Sequence, residues 1–315
     1  MSEKVPKPAV FRPLKGIRIL SLALNLPGPA ALMRCQQMGA RCAKLEAPAP
    51  KGASTGSSDP MQIYSQAAYT ALHQGIRITK ADLKTASGQK ALHRELAKAD
   101  VLLTSFRPSA LVKLGLTWKA LHKQYPQLSQ VAIVGSTGAQ AEEPGHDLTY
   151  LAKNGLVTGL DLPATLYADM GGSLMASEAV LQAVLHRHTS GQSGKSGANS
   201  GIYLEVALSS AASYLALPRA WGLTTPGAEI GGGHAGYQIY PCKNGRVAVA
   251  AIEPHFAARL CAAAGLASTP GLPADMHLPA TRQAIAVWLL GKSRAQLDKL
   301  AIDKDIPLHS LERKP

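Results

Sequence analysis

The sequence predicts an α/β protein, with a large domain built on a parallel sheet and a smaller α+β domain after it. Three observations support this prediction. Strand and helix patterns alternate from residue 17 to residue 134, and the pattern changes after residue 226. The chain has 315 residues, enough for about two domains, and 46% of them are hydrophobic, which excludes a mainly disordered chain. We place the boundary after residue 220, which gives domains 1–220 and 221–315.

The alternation begins with a strand, a helix and a second strand. Residues 17–22 form an apolar run typical of a buried strand, and Pro27-Gly28-Pro29 opens a helical pattern over 30–38. A second strand is predicted over 41–46. Such a unit is typical of a parallel sheet with right-handed crossovers. The Gly- and Ser-rich segment 48–60 has too few apolar residues to pack and is predicted to be a loop.

The same alternation continues through the rest of the large domain. Helices are predicted over 87–98, 108–114, 118–124 and 173–186, and strands over 101–104, 128–134 and 202–208. We interpret the Gly/Ser tract 190–201 as an elongated turn, because its Gly-Lys-Ser lacks the earlier glycine and the strand–loop–helix context of a phosphate-binding loop. After residue 226 we expect a hairpin of 237–240 and 247–251, helices over 255–264 and 281–290, and little structure beyond.

The charge balance favours an anionic ligand. The chain has 33 Lys+Arg and 20 Asp+Glu, a formal net charge of +13. A nucleic-acid partner would need basic residues on one helix face or interleaved with aromatic residues, and neither pattern is present. We expect no membrane partner, since no apolar run reaches the roughly 18 residues of a membrane span and the first residues lack a signal-peptide core. Four cysteines are too few for a disulfide framework, which favours a reducing, cytoplasmic location.

Three short segments place ionisable residues among glycines or turns, where a ligand can approach the backbone. They are 144–148, 167–172 and 250–256. Each is also compatible with an ordinary structural role, because Asp169 can be a helix N-cap, His146-Asp147 a turn and Glu253-Pro254 the start of a helix. No Cys or His spacing predicts a metal site, and His186 and His188 do not share a helix face.

At these segments the sequence resembles the family III CoA transferases, the CaiB/BaiF superfamily, and within it the alpha-methylacyl-CoA racemases. Blocks typical of the superfamily stand at 13–20, 27–29, 38–40, 44–46, 99–103, 106–108 and 114–116. Gly-His-Asp-Leu-Thr-Tyr at 145–150, Ala-Asp-Met-Gly-Gly at 168–172 and Ala-Ile-Glu-Pro-His-Phe at 251–256 are similar to the racemase branch. The resemblance covers nearly the whole chain. It implies a Rossmann-like large domain and an interlocked homodimer.

The resemblance further implies that His146, Asp169 and Glu253 are the acid/base residues of an acyl-CoA epimerisation. The proton beside a thioester is weakly acidic, so inverting that carbon needs a base on one face and a conjugate acid on the other. His146 and Asp169 would fill these positions, and Glu253 would orient His146. Backbone N–H groups around Asp147 and at Gly171-Gly172 would stabilise the enolate oxygen.

Coenzyme A is the ligand that the resemblance implies, as part of an acyl-CoA thioester. Arg107, within the Phe-Arg-Pro block, is the first candidate to bind its phosphates, and Arg77 and Lys84 come next. Each of these three cations is also compatible with a solvated surface position. Asp147 completes the predicted CoA-binding set.

Two other functions stay open. In the superfamily's transferases, the aspartate that matches Asp169 is a nucleophile that forms a covalent adduct, and a glycine-rich lid, which Gly231-Gly232-Gly233 could supply, covers it. The family's Asn-Arg-Gly-Lys segment stands here as His73-Gln74-Gly75-Ile76, and the chain ends near residues 306–308, where family members return to the large domain. An inactive, shortened CoA-binding paralogue is therefore the other alternative.

Overall fold

The chain divides into two compact units, of which the first ends at Ala216 and the second begins at Leu217. The structure is a computed structural model that describes residues 11–50, 52, 56–192, 200–266 and 273–313. Each unit has its own sheet and its own buried core.

The first unit is built on a six-stranded sheet in the order β3-β2-β1-β4-β5-β6. Its strands are β1 (Arg18–Ser21), β2 (Arg41–Glu46), β3 (Arg77–Lys80), β4 (Val101–Thr104), β5 (Ser129–Val134) and β6 (Tyr203–Ala207). All the neighbouring strands pair in parallel. The strand order reverses between β1 and β4, and in open parallel sheets ligands bind in the crevice that such a reversal leaves at the carboxyl ends of the strands.

Helices connect these strands. They are α1 (Pro27–Gln37), α2 (Pro60–Tyr64), α3 (Gln66–Leu72), α4 (Ala86–Leu96), α5 (Pro108–Leu114), α6 (Trp118–Gln124), α7 (Asp147–Lys153), α8 (Tyr167–Gln192) and α9 (Leu208–Leu215). A 3₁₀ turn at Gly138–Glu142 precedes α7.

Both faces of the sheet are covered. On β1, Ile19 belongs to the cluster that packs against α1 and α8, whereas Leu20 belongs to the cluster that packs against α4 and α5. Because successive strand residues point to opposite faces, a continuous apolar strand of this kind is buried on both sides. The predicted α/β class with a Rossmann-like parallel sheet is confirmed.

The second unit is a three-stranded antiparallel sheet with helices packed on it. The strands β7 (Tyr237–Cys242), β8 (Gly245–Ala250) and β9 (Leu308–Leu311) lie in that order, and β7 and β8 form the hairpin that the sequence predicts. The helices are α10 (Leu217–Ala220), α11 (Pro254–Ala263), α12 (Pro279–Leu290) and α13 (Arg294–Lys304), with a π-helical turn at Glu229–Gly233.

Several local predictions differ from the structure. The prediction of little structure beyond residue 290 is wrong, because α13 and β9 lie there; the Ser293/Gln296 capping box starts α13. Helices α2 and α3 and the edge strand β3 were not predicted. Helix α8 begins at Tyr167, not at residue 173, so Asp169 lies inside its first turn and is not its N-cap. The Gly-Lys-Ser at 194–196 lies outside the described residues.

Candidate functional site

A cavity of about 300 Å³ opens at the carboxyl ends of β1, β4 and β5, beside the point where the strand order reverses. Three of the residues singled out by the sequence line it, namely Arg107, His146 and Asp169. They come from the starts of three different helices, α5, α7 and α8. The fold therefore brings a cation, an imidazole and a carboxyl group to one crevice of the first unit.

His146 occupies the N-cap position of α7 with an extended backbone. Its main chain is fixed by Thr149, whose hydroxyl accepts from the His146 N–H at 3.1 Å and donates to the His146 carbonyl at 2.7 Å. His146 is exposed and lines the cavity.

Asp169 is buried, with 8% of its surface exposed, in the first turn of α8. Its burial, and next the negative charge of Asp147, raise its pKa to about 6. A carboxyl group with such a pKa exchanges a proton close to neutral pH, where an ordinary aspartate is fully ionised.

Asp147 holds the backbone of Asp169. It lies in the first turn of α7, is 5% exposed, and its Oδ1 accepts from the Asp169 N–H at 3.0 Å. Near this turn, α8 also packs closely on α9. A Cβ added to Gly172 would lie only 2.3 Å from a methyl carbon of Leu208, so the contact requires glycine. The carboxylate of Asp147 therefore positions Asp169.

Tyr150 is a cavity residue that the sequence analysis did not single out, although it closes the Gly-His-Asp-Leu-Thr-Tyr block. Its ring is buried, and its hydroxyl lies so close to Gly135 and Gly145 that a Cβ on either would come within 2.4 Å of it. Burial and then the nearby Asp169 raise the Tyr150 pKa, whereas Arg107 lowers it. Because those glycines come from separate segments, its place in the Gly-His-Asp-Leu-Thr-Tyr block is the sequence signal that could have identified it.

A second cavity, of about 150 Å³, continues from the first along the carboxyl edge. Lys84 lines it together with Glu46, Asp82, Ser58 and several apolar side chains, and the two cavities share Leu24 and Phe106. Lys84 and Arg107 thus line two cavities that have Phe106 in common.

Arg77 is placed elsewhere. It is the first residue of β3, at the amino end of the sheet, and its guanidinium pairs with Glu95 of α4 at 2.5 Å. The structure does not bring Arg77 together with His146 and Asp169.

Glu253 lies in the second unit, where it is the exposed N-cap residue of α11. The predicted pairing of Glu253 with His146 stays a prediction.

In the same unit, Gly231-Gly232-Gly233 forms most of the π-helical turn, and Arg282 donates hydrogen bonds to the carbonyl groups of Gly232 and Gly233. Gln238 donates to the Gly232 carbonyl at 2.7 Å. These bonds fix the glycine segment to its neighbours.

A buried ionic cluster lies behind the cavity wall. The Lys44 ammonium contacts Asp59 at 2.5 Å, Glu46 at 2.9 Å and His73 Nε2 at 2.9 Å, and the Lys44 and Glu46 side chains are fully buried. Glu46, Asp59 and His73 are close enough together to share a metal ion, a grouping that the sequence spacing did not predict. In this structure, Lys44 supplies the positive charge among them.

His73 is neutral in this cluster. Its Nδ1 is 2.7 Å from the carbonyl oxygen of Tyr69, which only accepts, and its Nε2 faces the Lys44 ammonium, which only donates. Burial and then the Lys44 charge lower the His73 pKa. Burial raises the pKa of the Glu46 carboxyl group. Hydrogen bonds from Ser57 and Lys44 lower it by more, so the net effect is a lowered pKa.

The model of CoA-transferase family III matches residues 14–313 of this chain. A probable fatty acyl-CoA transferase of Mycobacterium tuberculosis is 31% identical over 195 residues, which cover 57% of this chain and 48% of that protein. The alpha-methylacyl-CoA racemase of Mus musculus is 30% identical over 281 residues, which cover 84% of this chain and 67% of the racemase. The chain therefore spans about half to two thirds of the length of these relatives.

Solved structures share the fold. A CaiB/BaiF family protein from Brucella suis superposes with a TM-score of 0.75 at 22% identity, over 95% of this chain and 84% of that one. Within the described ranges, none of the helices combines the length and the apolar character needed to cross a membrane.

Proposed function

The chain belongs to CoA-transferase family III, and from this premise we propose that it epimerises an acyl-CoA at the carbon next to the thioester. The observation that carries the proposal is that His146 and Asp169 line one cavity at the carboxyl edge of the sheet. The similarity to a mammalian alpha-methylacyl-CoA racemase over 84% of this chain supports it.

The proposed reaction moves one proton off the α-carbon and returns another from the opposite side. In one direction the Asp169 carboxylate removes the α-proton, the electron pair of the C–H bond passes into the enolate, and protonated His146 delivers a proton to the other face. The reaction then leaves Asp169 protonated and His146 neutral. That state is ready for the other epimer, so the two residues exchange roles and no external reagent is consumed.

The environment of Asp169 suits this role. A general base works best when its pKa lies near the working pH, and the raised pKa of about 6 brings this carboxyl group closer to neutrality than an ordinary aspartate. The imidazole of His146 can either donate or accept a proton, as the two directions of the reaction require. Backbone N–H groups at the start of α7 are candidate donors to the enolate oxygen.

We place the CoA moiety along the two adjoining cavities. Lys84 and Arg107 supply positive charge for its phosphates, and Phe106, which lines both cavities, offers an apolar surface between them. Lys84→Gln and Arg107→Gln should each weaken CoA binding by about tenfold in calorimetry. Lys90→Gln, which removes an exposed cation of α4 that lines neither cavity, is the matched control and should leave CoA affinity unchanged.

Glu253 and the homodimer belong to the same proposal. The proposed role of Glu253 is to orient His146 and hold its proton on the reactive nitrogen.

A dimer is supported by apolar side chains that the first unit leaves exposed before and along α8, namely Leu160, Leu162, Leu166, Met170 and Leu174. Light scattering of the purified protein tests the dimer, and a monomer at all concentrations would contradict it.

Transfer of CoA between carboxylic acids is the second candidate, because a relative at 31% identity is named as a transferase. In that reaction Asp169 would attack the thioester carbon and release the CoA thiolate. The bonds that tie Gly232 and Gly233 to Arg282 favour epimerisation, since a transferase lid made of these glycines would have to break them.

The decisive experiment follows deuterium entering the α-position of a 2-methylacyl-CoA in D2O by mass spectrometry. Wild type should incorporate one deuterium, and Asp169→Asn and His146→Ala should not. Glu178→Gln, which changes an exposed carboxylate on the same helix, is the matched control and should retain full exchange. If the folded wild type binds CoA without exchange but moves CoA to a second acid, the epimerase proposal is wrong and the transferase is correct.

A further inference from the structure

A further cavity of the first unit lies at the amino end of the sheet, opposite the cavity of His146 and Asp169. Its volume is about 170 Å³. Its lining includes Arg18, Arg41 and Arg77, each of which is the first residue of its strand, in β1, β2 and β3. None of these arginines takes part in the proposed reaction.

The strand register places the three arginines on one face of the sheet. Arg18 pairs directly with Arg41, and Arg77 pairs with Ala43. Arg41 and Ala43 are two residues apart, so their side chains point to the same face. The three strands are neighbours, about 4.8 Å apart, and their arginines line one cavity over a floor that includes Leu20 and Ala43, which pair in the sheet.

The carboxylates around this cavity do not balance its cations. The lining has four cationic side chains and one carboxylate, Glu95, which already pairs with Arg77 and also lies within 4.0 Å of Arg94 and Lys98. Arg18 lies 3.6 Å from Asp100, which is shared with Arg187. Among the described residues, Arg41 has no carboxylate partner. Like charges held this close repel one another, and a bound anion would relieve that repulsion.

We propose that this amino-edge cavity binds a small molecule that carries a diphosphate group. Guanidinium groups present planar pairs of N–H donors that match phosphate oxygens, and they cannot lose their charge at physiological pH. Three of them around one concave site suit two linked phosphates better than a single carboxylate. The site is separate from the carboxyl-edge cavities, so the inference does not depend on the proposed reaction.

The test uses inorganic pyrophosphate as the probe, in calorimetric titrations of the whole chain at constant ionic strength. Arg41→Gln should weaken binding by about tenfold, because it removes a cation that no carboxylate of the described residues pairs with. Glu95→Gln should strengthen binding severalfold, since it removes the carboxylate that competes for Arg77. Arg41 and Glu95 are exposed or near the surface, so both variants should fold, and circular dichroism checks this.

Two control variants test whether pyrophosphate binds at the amino-edge cavity and not elsewhere on the basic surface. Arg219→Gln removes the same charge in α10 of the second unit and should leave pyrophosphate affinity unchanged. The double variant Lys84→Gln/Arg107→Gln removes cations from the carboxyl-edge cavities and should retain the pyrophosphate binding that depends on Arg41. The proposal is overturned if wild type does not bind pyrophosphate, if Arg219→Gln weakens binding as much as Arg41→Gln, or if the double variant alone abolishes it.

Discussion

Replacing Asp169 by asparagine should stabilise the first unit at neutral pH while it abolishes α-proton exchange. Burial and the charge of Asp147 raise the Asp169 pKa from an ordinary value of 3.8 to about 6. Each pH unit between the folded and unfolded pKa corresponds to about 1.4 kcal/mol. The ionised side chain therefore costs the folded state about 3 kcal/mol, a cost that the neutral amide of asparagine does not carry.

The sign of the effect follows from the proton balance. Below about pH 4 the wild-type side chain is protonated in both states, so its ionisation costs nothing. Between about pH 4 and pH 6 the unfolded chain releases its proton while the folded chain keeps it, and the stability of wild type falls as pH rises. Above about pH 6 the full cost is present. Asp169→Asn does not lose this stability. Its free energy of unfolding should therefore exceed that of wild type near neutral pH and match it near pH 4.

Urea unfolding at about pH 7 and at about pH 4 measures this difference. We expect Asp169→Asn to unfold at higher urea than wild type at neutral pH, by up to about 3 kcal/mol, and at nearly the same urea in acid. Asp147→Asn keeps an oxygen that can accept from the Asp169 N–H, removes the second cause of the raised pKa, and should recover a smaller part of the gain. A gain of equal size at both pH values, or a loss of stability at neutral pH, would refute this reasoning.

Three further predictions concern the cluster behind the cavity and the cavity wall. Lys44→Met leaves two buried carboxylates without their cation and should destabilise the first unit by about 3–5 kcal/mol in thermal unfolding, whereas the exposed Lys90→Met should change little. Because the pKa of His73 is lowered in the folded state, stability should fall as pH drops below about 6.5, and His73→Gln should flatten that dependence; an unchanged slope would contradict it. Gly145→Ala should displace the Tyr150 ring and slow exchange at least tenfold with the fold retained; wild-type exchange would show that the ring position is unimportant.

The sheet could be predicted from the sequence because each of its central strands contains a run of adjacent apolar residues. Residues 101–104 and 129–134 are completely buried, and a strand covered on both faces has no polar alternation to obscure it. The edge strand β3 has the sequence Arg-Ile-Thr-Lys with exposed ends, so local hydrophobicity does not distinguish it from a loop. Helix α8 was predicted too short, because Gly171-Gly172 lowers helix propensity where close packing on α9 favours the helix.

The candidate site was predictable in part, and for a different reason. His146 and Asp169 stand out because each lies beside glycines at the start of a helix, and a resemblance to known enzymes gives them a role. The contribution of Tyr150 depends on how its ring packs on two glycines from separate segments, which spacing along the chain does not encode. In the sequence, Arg77 and Arg107 are both candidate cations for a phosphate. In the fold, β3 places Arg77 at the amino end of the sheet, whereas Arg107 lies at the carboxyl end.

Two buried aspartates accept hydrogen bonds from the backbone N–H groups of residues that line the cavity. On one wall, Asp147 accepts the N–H of Asp169 at 3.0 Å. On the other, Asp59 accepts the N–H of Asn25 at 2.9 Å, and Asn25 lines the cavity with a left-handed φ of 67°. A non-glycine residue in that conformation needs support from its surroundings, and Asp59 provides it while Lys44 neutralises the Asp59 charge. The ionic cluster thus contributes to cavity shape as well as to stability. Asp59→Asn, which keeps an acceptor for Asn25 but weakens the attraction to Lys44, should therefore affect stability more than the exchange rate.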